Sequence, residues 1–170
     1  MKKVLLFRGS PASGKTTIAR KVAARIGAKR IETDAIKSMF GDFAKIEWKR
    51  VIKDSLLTYQ CSALLLNHLL EQEKNIVIEG LFLTRPPIKE LERIAKKHSA
   101  LFYVFSLTAD ESVLLSRDKT RRFSVKGGKK ALRTLMKHAN KLDDKNWIQI
   151  NSTELSPDEI VRLVLRESGF

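Results

Sequence analysis

The eight residues Gly9-Ser10-Pro11-Ala12-Ser13-Gly14-Lys15-Thr16 constrain this chain more than any others. They fit G-x-x-x-x-G-K-[ST], a loop whose backbone N–H groups surround phosphate oxygens. Val4-Leu5-Leu6-Phe7 precedes the loop, a short apolar run suited to a buried parallel strand. After it, Ile18, Val22 and Ile26 recur at i, i+4 and i+8, and Gly27 supplies a helix C-cap. A glycine-rich turn arising by chance has no reason to sit between a strand and a helix. Gly9 and Gly14 admit backbone angles and close approaches that a side chain forbids, and the helix N-terminus adds partial positive charge. Lys15 suits the β- and γ-phosphates, and the Thr16 hydroxyl suits Mg²⁺. The predicted nucleotide site is Gly9, Ser10, Ala12, Ser13, Gly14, Lys15, Thr16 and Thr17, with ATP or another nucleoside triphosphate and Mg²⁺ as ligands.

Strand and helix patterns alternate through the rest of the chain. Arg30-Ile31-Glu32-Thr33 reads as a second strand ending at Thr33-Asp34, followed by a helical start broken at Gly41. From Lys45 to about Glu73, apolar residues keep helical spacing over a length that predicts two helices or one bent one. Asn75–Gly80 is a third strand ending in an acid. Thr84-Arg85-Pro86-Pro87 is expected to hold off the next helix until Ile88. Ala100–Ser106 is a fourth strand, and Thr108-x-x-Glu111 spells a capping box for the helix after it. A helix over about 129–142 precedes a fifth strand, Trp147–Ile150, and Ser156-Pro157-Asp158-Glu159 caps the last helix. Buried strands alternating with helices imply a parallel sheet covered on both faces. The 170 residues fit one domain, with no linker or repeat dividing them.

The N-terminal apolar run is only four residues long before Arg8, too short for a secretion signal, and no stretch approaches a membrane span. The single Cys61 cannot form an internal disulfide and reads as a buried thiol of a reducing, cytoplasmic compartment. Charge is the second strong feature. Thirty-three Lys and Arg against nineteen Asp and Glu give +14. Ten basic residues fall within 117–141 against Asp118 alone. A lysine-rich solvated surface explains part of this; the concentration suggests a polyanionic partner such as nucleic acid.

The phosphate loop, the Thr33-Asp34 strand end, the helical insertion, the Glu79-Gly80 strand end and the Arg-rich segment occur in the order seen in a known group. The chain resembles the P-loop kinases of small substrates and nucleic-acid ends, which include nucleoside-monophosphate, shikimate, gluconate and polynucleotide kinases and zeta toxins. The resemblance implies a five-stranded parallel sheet in the order 2-3-1-4-5 flanked by helices. It also implies a helical acceptor-binding insertion over about 35–73, a mobile Arg-rich lid over about 117–130, hinged near Gly127-Gly128, and transfer of the ATP γ-phosphate. Asp34 then corresponds to a strand-end general base, with Lys37 three residues on; as a residue before a helix it also suits an N-cap. Glu79 stands where Asp is commoner, which leaves metal shell, acceptor contact and second base open. Arg85 corresponds to an acceptor-binding arginine or a solvated loop residue. Arg117 and Arg121 resemble the lid arginines that hold phosphate and neutralise charge in transfer, with Arg122 beside them. Lys15, Asp34, Arg117 and Arg121 are the expected catalytic set, and Thr16 and Glu79 the expected metal contacts.

The charge and the Asp34–Lys37 pair favour a polynucleotide 5′-hydroxyl as acceptor; the small single domain favours a metabolite, nucleoside or nucleotide. Asn140-Lys141-Leu142-Asp143 spells the guanine-reading string N-K-x-D. It falls in a helix before the fifth strand rather than after a strand, so it is read as coincidental. His68, His98 and His138 have no metal-ligand spacing, and Trp48 and Trp147 read as packing residues, although a base could stack on Trp48.

Overall fold

Successive residues of the first strand, β1 (Lys3–Gly9), point to opposite faces of a sheet, and both faces are closed. The computed structural model describes residues 1–40, 48–120 and 128–170, with side chains outside 41–54 and 121–128. Val4 and Leu6 enter a core with Ile31, Ile76, Ile78, Leu66, Leu70, Leu91 and Ile94. Leu5 and Phe7 enter the other, with Ile18, Val22, Val77, Phe105, Ile150 and Val164. Four consecutive apolar residues at 0% exposure are what a central parallel strand requires.

The remaining elements are α1 (Lys15–Ile26), β2 (Lys29–Glu32), α2 (Thr33–Ser38), α3 (Trp48–Glu71), β3 (Ile76–Glu79), α4 (Arg85–Lys97), β4 (Leu101–Thr108), α5 (Glu111–Lys119), α6 (Gly128–Lys141), β5 (Ile148–Asn151) and α7 (Pro157–Ser168). The sheet is parallel throughout in the order β2-β3-β1-β4-β5, as the resemblance implied. Helices α2, α3 and α4 supply the first core, and α1 and α7 the second. A third cluster joins Leu114 of α5 to Leu132 and Met136 of α6, with Ala12 of the phosphate loop packed against it.

Several local expectations change. Of the two arrangements expected for the long periodic segment, two helices or one bent one, its described part forms a single 24-residue helix, α3. The prolines do not delay α4, which starts at Arg85. Pro86 occupies the first turn, where a helix has no partner for an N–H. Thr108 is not a cap: it ends β4, paired with Asn151, and Asp110 precedes α5 without a side-chain cap bond. The ladder takes Thr108 because its carbonyl accepts the Ser152 N–H at 2.8 Å. The expected boxes elsewhere form. Gly27 turns left-handed at the end of α1, and Ser156 and Glu159 exchange reciprocal bonds at α7. Cys61 is partly rather than fully buried, because it sits at the edge of the α3 face that meets the core.

Among the described residues, several charged side chains are buried, Arg8 most completely. Arg8 is 1% exposed. Its Nη1 donates to Ser106 Oγ and to the Leu142 carbonyl, each at 2.8 Å, and Nη2 donates to the Ala139 carbonyl at 2.7 Å. Nε reaches the Phe82 carbonyl at 3.3 Å, and the guanidinium stacks on Trp147 at 5.0 Å. Arg8 therefore closes the carbonyl end of α6 from inside the sheet. Burial lowers its pKa to about 10, opposed by Asp143, so it still carries its charge at neutral pH. Arg8→Met should leave several buried acceptors without a donor and cost roughly 3 kcal/mol or more of stability. Denaturant unfolding, together with faster amide exchange in residues 128–142 than elsewhere, checks this.

Candidate active site

The carboxyl edge of the sheet collects β1, β2, β3 and their following loops. At Gly9, φ is +127° and an added Cβ would lie 2.0 Å from the Leu107 carbonyl oxygen, so only glycine fits. The chain can then turn out of the sheet into the loop and enter α1 at Gly14, whose φ is +93°. Lys15 is buried and donates to the Ser10 carbonyl at 2.6 Å, folded back over its own loop. The Thr16 hydroxyl donates to Glu79 Oε2 at 2.8 Å. Thr17 lies exposed in the first turn of α1. The Ser13 hydroxyl is buried without a partner, and Ser13 presents its carbonyl to Ser152 Oγ at 3.0 Å.

Glu79 is the acid beside this loop. It is 3% exposed, and its Oε1 has no hydrogen-bond partner. Burial pushes its carboxyl above the ordinary range. The Thr16 hydrogen bond pulls the other way, Glu32 raises it further, Lys15 lowers it and Asp34 raises it. Glu32 is its in-register neighbour on β2. Thr33, the first residue of α2, is 1% exposed with its hydroxyl unpartnered, packed so tightly against Gly80 that a Cβ there would meet it at 2.4 Å.

A hard cation fits this donor set. Thr16 and Glu79 supply oxygens, and Glu79 Oε1 is a buried acceptor without a hydrogen-bond partner among the described residues. Among the described residues no three His, Cys, Asp or Glu side chains form a cluster, so a cation here would depend on these two residues and on phosphate oxygens.

The second strand ends one residue earlier than its pattern suggested, at Glu32, and Asp34 falls in the first turn of α2. That removes the N-cap reading, because Glu32 occupies the cap position. Asp34 is 69% exposed and lies 3.7 Å from Lys37, one turn on along α2. It sits close enough to Glu79 and to Tyr59 for its charge to raise the pKa of both. Tyr59, which no sequence pattern singled out, reaches across from α3 and stacks on Phe82 at 5.0 Å; burial is the main cause of its raised phenol pKa.

The arginines are placed differently from the expectation. Arg85 is bound to Asp144 at 2.5 Å and to the Asp143 carbonyl, and it lies over Trp147, tying α4 to the segment after α6. Arg117 donates to Ser152 Oγ at 3.0 Å and to the Ser152 carbonyl at 2.8 Å. Through Ser152 it braces Ser13 of the phosphate loop, rather than projecting as a lid residue. Arg121, Arg122 and the Gly127 side of the expected hinge lie outside the described residues. Arg8, Ser152 and Thr33 were missed. For Arg8 a signal existed: it continues the Val4–Leu6 face of a buried strand, where a cation needs a reason. The Asn140 of the N-K-x-D string also has a place, since Ser10 Oγ donates to its Oδ1 at 3.4 Å from the end of α6.

A family profile described as an AAA domain (AAA_33) matches residues 4–142. The chain belongs to this AAA domain family. No curated protein matches the sequence. Among solved structures, a sugar kinase from a Janibacter species superposes with a TM-score of 0.73 at 16% identity, covering 98% of this chain and 94% of its own. A gluconokinase from Sinorhizobium meliloti gives 0.71 at 19% identity, covering 98% and 91%. The Mycobacterium tuberculosis APS kinase bound to AMPPNP and APS gives 0.68 at 12%, covering 97% and 96%. The AAA domain member therefore has the P-loop kinase fold along its whole length.

The state of Glu79 yields a pH prediction. A carboxyl whose pKa is raised by folding holds its proton more tightly folded than unfolded. Stability of the ligand-free protein should thus fall as pH rises from the ordinary carboxylate range through the raised pKa of Glu79, and level off above it. Glu79→Gln should gain on the wild type at neutral pH and not at acid pH. Denaturant midpoints measured across that range check the sign.

Proposed function

We propose that this protein is an ATP-dependent kinase that transfers the γ-phosphate to a hydroxyl of a small polar molecule. The observation that carries the reading is the meeting of two half-sites at one sheet edge. Lys15, Thr16 and Glu79 form the donor side, and Asp34 stands on α2 within electrostatic reach of Glu79. An exposed carboxylate within electrostatic reach of Glu79 is what an acceptor hydroxyl needs. Asp34 takes the hydroxyl proton as its oxygen bonds to the γ-phosphorus, and the bond to the β–γ bridging oxygen breaks to release ADP. Lys37 holds Asp34 from within α2 and offers a cation to an anionic acceptor. Lys15 exchanges the Ser10 carbonyl for phosphate oxygen, and the loop amides with the α1 N-terminus receive the charge on the phosphates. Mg²⁺, held by Thr16 and Glu79, would neutralise phosphate charge.

Similar folds belong to enzymes described as sugar kinase, gluconokinase and APS kinase, which supports a small acceptor in the space between α2, α3 and the end of β3. The basic segment supports this choice too. In α6, Arg133 pairs with Glu111 at 2.7 Å, and Leu132 and Met136 pack toward the phosphate loop. Arg133 is thus engaged within the chain. The +14 balance is the observation behind the second reading, a polynucleotide 5′-hydroxyl as acceptor.

Transfer of labelled γ-phosphate to a panel of sugars, sugar acids, nucleosides and 5′-hydroxyl oligonucleotides tests the choice. Label in one small molecule is the expected result; label in oligonucleotides alone would overturn it. Asp34→Asn should keep nucleotide affinity and lose at least ~100-fold in kcat, the scale of general-base contributions.

A further inference from the structure

Helix α3 is built inside out along part of its length. It buries Thr58 and Ser62 completely, with Ser62 Oγ bonded back to the Thr58 carbonyl at 2.8 Å. Meanwhile it exposes Leu56, Leu57, Leu64 and Leu65, Leu64 at 72%. At 100° per residue these four leucines fall on one half of the helix, opposite Thr58, Ser62, Leu66 and Leu70, with the exposed Gln60 among them. Single exposed leucines need no explanation, but four on one face of one helix form a patch.

Charge indicates what covers it. A chain of net +14 repels its own copies over most of its surface. Residues 55–73, which carry the leucine face, contain no Lys or Arg at all. The ends of α3 differ in sign. Lys49, Arg50 and Lys53 occur in its first turns against Asp54, and Glu71 ends it, exposed. Laid antiparallel, two copies of the helix would bring each Glu71 end to the basic end of the other and oppose their macrodipoles. Parallel copies would set like ends together.

We propose that the leucine face of α3 is a two-fold homodimer interface in which two α3 helices pack antiparallel. The interface is isologous: Leu56 and Leu57 of one copy meet Leu64 and Leu65 of the other, and the reverse contact follows by symmetry. Gln60 lies near the axis. The inference stands apart from the assignment of kinase activity.

Sedimentation equilibrium of the full chain at concentrations up to ~100 μM, a range that reveals even weak association, tests it. The wild type is expected to approach twice the 19.4 kDa chain mass. Leu64→Lys is expected to be monomeric while keeping wild-type circular dichroism and nucleotide affinity. Glu71→Lys, a surface change that does not threaten folding, is expected to weaken the dimer at least several-fold, with the loss shrinking at high salt. A wild type that stays monomeric throughout overturns the proposal. So does a dimer that both variants leave intact, and a dimer that Glu71→Lys tightens rules out the antiparallel arrangement.

Discussion

The contact between Gly9 and the Leu107 carbonyl governs what this fold can present. β1 is the central strand, closed on both faces and flanked by β3 and β4. Its last residue must leave the sheet at a point where the next strand's backbone already fills the space a Cβ would need. With glycine there, the chain turns outward and its amides converge. Any other residue would push β1 from β4 or move the loop. The same edge has a second tight point at Gly80, where Thr33 presses against the backbone of β3. Gly9 in β1 and Gly80 just past β3 thus let Thr33 and Glu79 pack into a small buried volume, with the partly buried Thr16 bonded to Glu79.

In that volume Glu79 carries the most unfavourable electrostatics of the site. Burial, Glu32 and Asp34 all oppose its charge, and Thr16 and Lys15 only partly offset them. One of its oxygens has no partner. Such an arrangement is stabilised by whatever brings positive charge or a donor to Oε1. Lys15 shows the complementary condition, a buried ammonium bonded to a loop carbonyl that a phosphate oxygen would outcompete. The two groups describe a site organised for a ligand that is itself an anion carrying a cation. Behind it, Arg8 and the Arg117–Ser152–Ser13 chain fix the loop's surroundings from below and from the side.

The string Gly9–Thr16 and the strand periods made the parallel, doubly covered sheet and the phosphate loop legible from sequence, because both rest on local rules: alternation, helix spacing and glycine at a strained turn. The strand order came from the resemblance to P-loop kinases. What escaped depends on packing at a distance. Pro86 and Pro87 look like breakers in isolation, but a first helical turn tolerates them. Thr108 fits a capping box until the β4–β5 ladder takes it. Arg85 and Arg117 were expected to meet acceptor and phosphate, yet Asp144 and Ser152, distant in sequence, engage them. Asp34 as a site acid was readable from its place after an apolar strand; its position on α2 rather than at the strand end was not, since β2 stops where its partner β3 ends at Glu79.

The central claim is that Glu79, protonated more readily than an ordinary carboxyl while the site is ligand-free, surrenders its proton when a magnesium nucleotide arrives. Calorimetric titration of the protein with Mg²⁺ and a non-hydrolysable ATP analogue, at weakly acid pH in buffers of different ionisation enthalpy, measures this directly. The binding heat should depend on the buffer, showing proton release, and Glu79→Gln should bind with little or no such dependence. Buffer-independent heat in the wild type, or equal release in the variant, would contradict it.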